Sequence, residues 1–561
     1  MKLKGAQIIM QVLQEEGVQV VFGYPGGAVV DIYDELVKTS IRHILVRHEQ
    51  GAVHAADGYA RASGKVGVCL VTSGPGATNT VSGIASAFMD SIPMVVLTGQ
   101  VPTELIGNDA FQEVDIVGIT RPCTKHNYLV KSVESLAPIL KEAFYIARSG
   151  RPGPVLVDLP KDVSQGSVAY KPIKDLNLKS YHPTYEPNIK QLPKAIKLIK
   201  ESKRPMVLAG GGVILSKASE ELRAFARKIG SPVASTLMGL GGYPGTDPLW
   251  LGMIGMHGTY RANMSSYECD LLIAVGVRFD DRVTGKIEGF APKARIIHID
   301  IDPTSIRKNI PVTVPIVGDC RITLDRLNQA LGREDLGDLQ AVTRPWLEQI
   351  EKWKATKPLN YVQGETIKPQ FVVEKLCELS KGEAIITTEV GQNQMWAAQY
   401  FSFDRPNCFI TSGGLGCMGF GFPAAIGAQI ACPDRLVVDI AGDGSIQMNI
   451  QEMATAVQYG LPVKIVILNN HYLGMVRQFQ ELFYDRRYAC TGMDHAPDFV
   501  KLAEAYGAVG LRASRPEEVE PVLREGLSIP RTVIMDFHVE KEECVYPMVP
   551  SGKTITEMLL V

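Results

Sequence analysis

Two short polar clusters stand where two apolar runs end, and their side chains are suited to holding a metal ion. Gly442-Asp443-Gly444 follows one run and Asn469-Asn470 follows the next, with 24 residues between them, enough for one helix. Neighbouring parallel strands would bring both clusters to the sheet edge where α/β proteins bind ligands. Asp443, Asn470 and the backbone carbonyl of Tyr472 offer the hard oxygens that Mg²⁺ prefers, and a diphosphate and a water would complete the set. Taken singly, each cluster is more typical of an ordinary turn, and it is their joint spacing in a strand–helix–strand context that favours the metal site.

A glutamate near the start of the chain, Glu49, follows a predicted strand over 44–47. A carboxylate in a drying pocket is a good proton relay, because loss of solvent raises its pKa. The same position also suits the first turn of a helix, where the helix dipole favours negative charge. Local sequence alone favours the helix-start interpretation. A zinc-protease motif is excluded, since the next histidine after His48 is His54, which has the wrong spacing.

The spacing of the two C-terminal clusters resembles the diphosphate motif of thiamine-diphosphate enzymes. That family pairs the motif with a glutamate at the end of a strand in an N-terminal domain, and Glu49 stands at the matching place. The resemblance implies that Glu49 hydrogen-bonds the aminopyrimidine ring of the cofactor. It would thereby promote removal of the thiazolium C2 proton.

Further segments, in order and over nearly the whole chain, resemble one branch: the biosynthetic acetohydroxyacid synthase (acetolactate synthase) family, catalytic subunit. They are YPGGA at 24–28, RHEQG at 47–51, TSGPGATN at 72–79, GQVP at 99–102, DAFQE at 109–113, TKHNYLV at 124–130, GRPGPVLVDLPKD at 150–162, GMHGT at 255–259 and RFDDRVTGK at 278–286. The last block is similar to the FAD-containing biosynthetic enzymes and unlike the FAD-free catabolic ones.

The resemblance implies a carboligase. Such an enzyme decarboxylates pyruvate and joins the remaining two-carbon unit to a second 2-oxo acid, giving 2-acetolactate from pyruvate or 2-aceto-2-hydroxybutyrate from 2-oxobutyrate. This is the first common step of valine, leucine and isoleucine synthesis. Thiamine diphosphate, Mg²⁺ and a structural FAD are the implied cofactors. At least a homodimer, or a homotetramer, is implied because the active site is shared, as is a small regulatory subunit.

The resemblance also assigns roles to individual residues. Those implied to act on substrate are Glu49, Phe111, Gln112, Lys161, Arg282, which would hold the second substrate's carboxylate, and Phe479, with Lys125 at the entrance. Those implied at thiamine diphosphate are Pro25, Gly26, Glu49, Val390, Gly391, Gln392, Asn393, Gly416, Met418, Gly442, Asp443, Gly444, Ser445, Asn470 and Met475. Those implied at FAD are Arg151, Gly211, Thr236, Leu237, Met238, Ile254, Gly255, Met256, His257, Gly276, Arg278, Asp281, Asp300 and Asp319. Asp443, Asn470 and Tyr472 are the expected metal ligands.

Several positions depart from the family pattern. Phe479 replaces a tryptophan that favours 2-oxobutyrate, which predicts weaker discrimination between the two second substrates unless phenylalanine fills the same role. Glu389 and Asn393 replace the more usual aspartate and histidine. Asn393 can donate to a phosphate oxygen but carries no charge, which predicts somewhat weaker diphosphate binding. Cys417 stands where threonine or alanine is commoner, and residues 103–104 lack the arginine pair of plant members, which fits a prokaryotic sequence.

The elements that must position these residues alternate between apolar runs and helical segments. Strands are predicted over 44–47, 66–72, 93–98, 155–158, 205–209, 271–276, 295–300, 384–388, 436–440, 463–468 and 532–537. Runs rich in Val, Ile and Leu indicate parallel strands covered on both faces. We therefore predict an α/β fold of three doubly wound parallel-sheet domains over 1–165, 190–335 and 368–540, with a tail over 541–561 near the active site. Residues 164–192 and 334–368 are predicted to be a linker and an irregular charged stretch.

Composition excludes several classes of protein. The chain has 561 residues and a net charge of −2, so no basic face for nucleic acid or acidic membranes is indicated. Ten scattered cysteines without a Cys-x-x-Cys pair favour reduced thiols. The chain starts without a signal-peptide pattern and has no long apolar span. A cytoplasmic enzyme is expected.

Other functions remain as alternatives. The closest are other thiamine-diphosphate enzymes, namely pyruvate oxidase, a 2-oxo acid decarboxylase, or catabolic acetolactate synthase. A cofactor-binding paralogue without catalysis is a different class, against which Glu49, Gln112, Asp443 and Asn470 all argue. The Gly-x-Gly-x-x-Gly pattern at 414–419 imitates a dinucleotide fingerprint, but a lone match of this kind is weak, and NAD binding is not expected.

Overall fold

The computed structural model describes residues 2–173, 176, 178–334, 337 and 339–560. The chain divides into two compact units. The first contains Met1–His182, Ala384–Asn393 and Ile410–His538, and the second contains Pro183–Glu383, Gln394–Phe409 and Val539–Val561. Two of three six-stranded sheets belong to the first unit, and the third belongs to the second.

The N-terminal sheet belongs to the first unit. The strands of this region are β1 (Lys2–Lys4), β2 (Val20–Tyr24), β3 (Arg42–Leu45), β4 (Gly67–Val71), β5 (Met94–Gln100), β6 (His126–Leu129), β7 (Pro154–Pro160) and β8 (Ser167–Ala169). Its helices are α1 (Gly5–Glu15), α2 (Val30–Leu36), α3 (Glu49–Ser63), α4 (Pro75–Thr78), α5 (Val81–Asp90), α6 (Ile116–Thr120), α7 (Val133–Arg148) and α8 (Lys161–Gln165). The sheet order is β3-β2-β4-β5-β7-β6, all parallel, while β1 and β8 form a separate antiparallel pair. Every residue of β5 and β7 is buried, as parallel strands covered on both faces require.

The central sheet belongs to the second unit. Its strands are β9 (Pro205–Ala209), β10 (Val233–Ser235), β11 (Trp250–Met253), β12 (Leu271–Val275), β13 (Arg295–Asp300) and β14 (Val314–Val317). Its helices are α9 (Leu192–Glu201), α10 (Gly211–Leu215), α11 (Ser219–Ile229), α12 (Tyr260–Glu268), α13 (Asp281–Thr284), α14 (Cys320–Leu331), α15 (Leu339–Thr356) and α16 (Pro369–Leu379). The order β11-β10-β9-β12-β13-β14 is parallel throughout.

The C-terminal sheet lies in the first unit. Its strands are β15 (Ile385–Thr388), β16 (Phe409–Ile410), β17 (Val437–Gly442), β18 (Lys464–Asn469), β19 (Val509–Ala513) and β20 (Val533–His538). The helices are α17 (Gln392–Tyr400), α18 (Gly421–Ala431), α19 (Asp443–Ile446), α20 (Met453–Gln458), α21 (Gly474–Phe483), α22 (Phe499–Ala505) and α23 (Pro516–Ser528). The order is β16-β15-β17-β18-β20-β19, and the last five strands run parallel.

Three parallel sheets confirm the predicted fold class. Each of the eleven predicted strands is found with both ends within two residues of the expected ones; the strand before Glu49, β3, lies two residues earlier and ends at Leu45. The expectation of an irregular stretch over 334–368 is wrong, because α15 lies there. Its buried face consists of Leu339, Thr343, Trp346 and Ile350, which recur at helical spacing. Charged residues separate them along the sequence, and Pro345 lies inside the helix. The predicted domain boundaries remain predictions, and their end residues Met1, Asp335 and Val561 lie outside the described residues.

Within the first unit, α3 of the N-terminal sheet packs closely against α18 of the C-terminal sheet. All ten residues from Gly51 to Ala60 are buried. A Cβ at Gly58 would lie 2.1 Å from the carbonyl oxygen of Ala424, and a Cβ at Gly427 would lie 1.8 Å from that of Ala55. Only glycine permits this approach, so the two helices pack backbone to backbone.

His54 lies in the same interface and predicts a response to acid. Its side chain is fully buried, its ring meets Phe420 edge to face, and burial, with the charge of Arg61, lowers its pKa from 6.5 to about 3. The resulting stabilisation is complete above pH 6.5 and is lost as the pH falls from 6.5 towards 3, because the unfolded chain takes up the proton first. His54→Gln is expected to reduce the loss of unfolding free energy on going to pH 5 by about 2 kcal/mol, measured by urea unfolding at each pH. Exposed His182→Gln is the control, and an unchanged pH dependence of His54→Gln would contradict this account.

No described helix is both long enough and apolar enough to span a membrane.

Candidate active site

Each six-stranded sheet has a topological switch point, where the order of its strands reverses direction. The predicted site residues lie in the loops after the strands of these sheets. In the C-terminal sheet the chain moves from β15 outward to β16 and then returns to β17 on the other side of β15. The loops after β15 and β17 therefore diverge and leave a crevice, which is where such sheets bind ligands. The first loop carries residues 390–393, and the second carries Asp443.

Asp443 is a buried carboxylate in this crevice. It is 1% exposed, and neither carboxylate oxygen has a hydrogen-bond partner among the described residues. Burial raises its pKa to about 7. An unpaired buried carboxylate is costly unless a cation compensates it. These oxygens therefore fit a metal ion.

Asn470 provides the neighbouring amide. β17 pairs with β18, so the end of one strand lies beside the end of the other. The Asn470 Oδ1 accepts a hydrogen bond from the Tyr472 backbone N–H at 3.1 Å, and its Nδ2 donates to Gln392 Oε1 at 3.1 Å. No group of three His, Cys, Asp or Glu side chains suited to a metal occurs in the described part of the chain. A site with one carboxylate, one amide oxygen and one backbone oxygen suits Mg²⁺. This ion usually binds few protein ligands and completes its coordination with phosphate and water oxygens.

The loops around Asp443 are packed so closely that side chains are excluded. A Cβ at Gly474 would lie 2.1 Å from Gln392 Oε1, and one at Gly444 would lie 2.6 Å from the Leu473 side chain. Gly416 faces Val390, since its Cβ would lie 3.8 Å from the valine Cγ1. The predicted diphosphate residues on β15, β17, β18 and the 414–419 segment are thus brought together. Ser445 and Met475 lie in the first turns of α19 and α21.

Asn393 is held more tightly than expected from sequence. Its Nδ2 donates to the backbone carbonyls of Glu389 and Ile440, both at 2.8 Å. Both amide hydrogens are therefore used inside the protein, and the predicted donation from this side chain to a phosphate oxygen does not fit its position here. The amide instead links the loop after β15 to β17.

Glu389, noted in the sequence only as unusual, holds the segment that carries Gly416 and Met418. Its carboxylate accepts the backbone N–H of Gly419 at 2.6 Å and of Phe422 at 3.1 Å, at the start of α18. Burial raises its pKa to about 7.

Glu49 is the first residue of α3 and follows the short loop after β3, so it lies both beyond a strand end and at a helix start. Asn79, at the end of α4, donates to Glu49 Oε2 at 2.9 Å, and a Cβ at Gly76 would lie 3.4 Å from Glu49 Oε1. Gly26 closes the same edge against Thr72. Glu49 is only partly buried within this chain. The loops after β2, β3 and β4 thus place Glu49 at the carboxyl edge of the N-terminal sheet.

Gln112 lies in a strained loop at the same edge. It has φ +58°, and a Cβ at Gly74 would lie 2.7 Å from its carbonyl oxygen. Glu113 holds the loop by accepting the N–H groups of Gly107 and Ala110. Phe111 is 88% exposed. A conformation of this kind persists only where its surroundings impose it, and such residues cluster at functional sites.

Two predicted basic residues differ in their surroundings. Lys161 begins α8 directly after β7 and is partly exposed. Lys125 instead donates to the carbonyls of Ile146 and Ser149 at the end of α7. Its ammonium stabilises a helix C-terminus, so the expected role at a substrate entrance does not fit its position.

The residues predicted to contact FAD, apart from Arg151, lie in the second unit at the carboxyl edge of the central sheet. This sheet switches direction between β9 and β12, and Gly211 and Gly276 follow those strands. A Cβ at Gly212 would lie 2.6 Å from the Gly276 Cα, so the loops meet through their backbones. A glycine-lined switch point fits a dinucleotide.

The other predicted FAD residues follow the remaining strands of the same sheet. Thr236, Leu237 and Met238 follow β10, Ile254 to His257 follow β11, Arg278 follows β12, Asp300 ends β13, and Asp319 caps α14. His257 is buried, and burial lowers its pKa to about 4. Arg151 lies in the first unit, where its Nε donates to Ser91 Oγ at 2.8 Å.

Arg282 and Asp281 open α13 and are exposed, 3.4 Å apart. A cavity of about 50 Å³ is lined by Gly255, Met256, Asp281, Arg282 and the tail residues 549–552. The C-terminal tail thus borders predicted site residues within the second unit.

Models of the thiamine pyrophosphate enzymes match three segments of the chain. Residues 3–119 match the N-terminal TPP binding domain, residues 192–327 the central domain, and residues 389–537 the C-terminal TPP binding domain.

Curated relatives are similar over the full length. The acetolactate synthase large subunit of Haemophilus influenzae is 52% identical across 100% of this chain and 98% of its own. The acetolactate synthase isozyme 3 large subunit of Escherichia coli is 51% identical over the same shares. The chloroplastic acetolactate synthase 2 of Nicotiana tabacum is 48% identical across 99% of this chain and 85% of its own.

Proposed function

Because the chain belongs to the acetolactate synthase large subunits of the thiamine pyrophosphate enzyme family, we propose that it joins pyruvate to a second 2-oxo acid with release of CO₂. Two molecules of pyruvate give 2-acetolactate, and pyruvate with 2-oxobutyrate gives 2-aceto-2-hydroxybutyrate. Both products open the synthesis of branched-chain amino acids. The observation that carries the chemistry is the buried Asp443 without a hydrogen-bond partner, beside Asn470 at a switch point.

Thiamine diphosphate, when bound, supplies the carbon nucleophile and accepts the electrons released by decarboxylation. Asp443, Asn470 and the Tyr472 carbonyl would hold a Mg²⁺ ion, which would in turn bind the cofactor's diphosphate. The empty hydrogen-bonding capacity of Asp443 supports this assignment. The remaining thiamine residues named from sequence supply backbone contacts and packing around it.

Glu49 holds and returns a proton through its carboxylate. Its place at the start of the 15-residue α3 supports this role, because the first turn fixes the side chain's origin while Asn79 orients one carboxylate oxygen. Gln112 and Phe111 orient the substrate from a loop whose shape is imposed by Gly74 and Glu113. The ammonium group of Lys161 attracts the carboxylate of the substrate.

Arg282 recognises the carboxylate of the second 2-oxo acid. A guanidinium fork pairs well with a carboxylate, and Asp281 is its only charged partner in the described residues. The glycine-lined crevice of the central sheet would hold FAD. It is structural, since the reaction transfers no net electrons between substrate and product.

The proposed enzyme acts as an assembly of subunits in the cytoplasm. The relatives from Haemophilus influenzae and Escherichia coli are large subunits, which supports a small regulatory partner. A homodimer or homotetramer completes the active site, and exposed Phe111 is available to a second subunit. The ten cysteines are all free thiols, which supports action in the reducing cytoplasm.

The test is product analysis of the purified protein with Mg²⁺, thiamine diphosphate, FAD and pyruvate, with and without 2-oxobutyrate. We expect acetolactate and CO₂ without oxygen uptake. Acetaldehyde, or acetyl phosphate with peroxide, would instead identify a decarboxylase or an oxidase. Absence of product after addition of a bacterial small subunit would refute the proposal.

Phe479→Trp is expected to shift the choice of second substrate. Phe479 lies on α21, partly exposed, with its ring 6.2 Å from that of Phe483. A larger apolar surface contacts the extra methyl group of 2-oxobutyrate, so the ratio of 2-aceto-2-hydroxybutyrate to 2-acetolactate should rise by up to about tenfold. The ratio is measured with both substrates present. Phe483→Trp, one turn along the helix, is the control, and equal ratios in wild type and Phe479→Trp would refute the prediction.

A further inference from the structure

Glu452 is a buried carboxylate to which sequence analysis gave no role. It ends the 3-10 turn Gln447–Glu452, nine residues after Asp443, and is 1% exposed. Its Oε1 accepts the backbone N–H of Arg47 at 2.9 Å and of His48 at 3.0 Å. These are the two residues directly before Glu49.

The same short segment makes further contacts with the backbone before Glu49. Thr455 donates to Glu452 Oε2 at 2.6 Å and reaches the Leu45 carbonyl at 3.3 Å. The Tyr459 hydroxyl accepts the Leu45 N–H at 2.8 Å and donates to the His43 carbonyl at 3.3 Å. Residues 452–459 therefore hold the connection between β3 and α3 almost entirely through its backbone groups.

The fit around Glu452 admits little movement. A Cβ at Gly51, in the first turn of α3, would lie 2.6 Å from Glu452 Oε1. The carboxylate thus sits at the N-terminus of α3, where unpaired N–H groups and the helix dipole favour an anion. Its two backbone hydrogen bonds to 47–48 fix both the direction and the depth at which α3 begins.

We propose that Glu452 is a positioning residue that sets the placement of the Glu49 carboxylate through the backbone of Arg47 and His48. This rests on the proposed function, in which Glu49 exchanges a proton with the cofactor. Glu452 itself touches neither cofactor nor substrate in this account. It connects the helical segment that follows the diphosphate motif to the acid–base residue of the N-terminal sheet.

Glu452→Ala removes the acceptor and is the central variant. We expect exchange of the thiamine C2 proton, followed by NMR in deuterated buffer with Mg²⁺, to slow by roughly 10- to 100-fold, because misplacement by about 1 Å has effects of this size. The affinity for thiamine diphosphate should change much less. Glu452→Gln keeps an oxygen for both N–H groups, and the Thr455 hydroxyl can turn to the Leu45 carbonyl. It is therefore expected to recover most of the exchange rate. Glu504→Ala, on the exposed face of α22, is the control for a lost surface carboxylate.

A double-mutant comparison separates positioning from a general structural effect. If Glu452 acts through Glu49, Glu452→Ala should add less than about a twofold loss to a Glu49→Gln protein. An equal fold loss in both backgrounds, or a lower melting temperature with an unchanged exchange rate, would overturn the proposal.

One measurement is independent of the cofactor. Amide hydrogen exchange of the Arg47 and His48 N–H groups in the cofactor-free protein should be faster in Glu452→Ala than in wild type, and unchanged protection there would overturn the placement. A wild-type protein that forms no acetolactate, but in which Glu452→Ala still releases these amides, would refute the proposed function while leaving the contact intact.

Discussion

Asp443→Asn is expected to reduce acetolactate formation by at least about 100-fold at saturating Mg²⁺, since loss of even an outer partner of a metal ligand has effects of up to this size. The carboxylate is buried, and both of its oxygens lack a hydrogen-bond partner in the described chain. An amide retains the shape but loses the charge that a cation requires. Activity is measured as acetolactate formed per enzyme over a range of Mg²⁺ concentrations.

The same substitution should affect stability in the opposite direction when metal and cofactor are removed. A buried carboxylate without a counter-ion destabilises the folded protein, so Asp443→Asn should be at least as stable as wild type without ligands. Wild type should gain about 2.7 kcal/mol at ligand concentrations 100 times the dissociation constant, and the variant should gain almost nothing. Thermal unfolding with and without Mg²⁺ and thiamine diphosphate measures both effects. Exposed Asp434→Asn is the control, and equal stabilisation of Asp443→Asn and wild type would rule out the metal site.

Glu49→Gln is expected to lower kcat by roughly 10²- to 10⁴-fold, the range of a general acid–base contribution. Glutamine keeps the size of the side chain and an oxygen that can accept from Asn79. It cannot take up or return a proton at neutral pH. The dissociation constant for thiamine diphosphate, measured by calorimetry, should therefore change far less than kcat.

Because Glu49 starts a helix, the Glu49→Gln variant also tests whether the residue acts as an acid–base group or only stabilises the helix. If its contribution were only to the helix dipole, Glu49→Gln would lower the melting temperature slightly and leave the C2 exchange rate unchanged. Glu104→Gln, at an exposed site of the same N-terminal region, controls for the loss of one negative charge. A wild-type exchange rate in Glu49→Gln would contradict the assigned role.

Most central strands were predictable because they are nearly pure apolar runs that end in glycine or polar clusters, whereas short or more polar strands such as β6 and β19 were not predicted. β9 and β13 have the predicted ends, and the pairing of β17 with β18 follows from the spacing of Asp443 and Asn470. α15 was not predictable in the same way, because charged residues surround its four buried side chains and Pro345 interrupts the pattern.

The site was predictable in its residue types but less in how each residue is held. Local sequence showed that Asp443 could bind a metal, but not that its oxygens lack any other partner. It suggested a donor at Asn393, whose hydrogens are already used by two backbone carbonyls. Glu452 was missed because its partners, the amides of 47–48, lie about 400 residues away along the chain. The one signal in the sequence that could have indicated Glu452 was its place in the turn after the diphosphate motif.

The close packing of α3 on α18 also has a consequence for synthesis of the protein on the ribosome. The apolar face of α3 finds its partner only when residues 421–431 emerge, about 360 residues after Ser63. At about 5–20 residues per second, the part of α3 that packs on α18 stays uncovered for roughly 20 to 70 seconds. The close contact through Gly58 and Gly427 can therefore form only after most of the chain has been synthesised. An apolar face left uncovered for that time makes the nascent chain prone to aggregation.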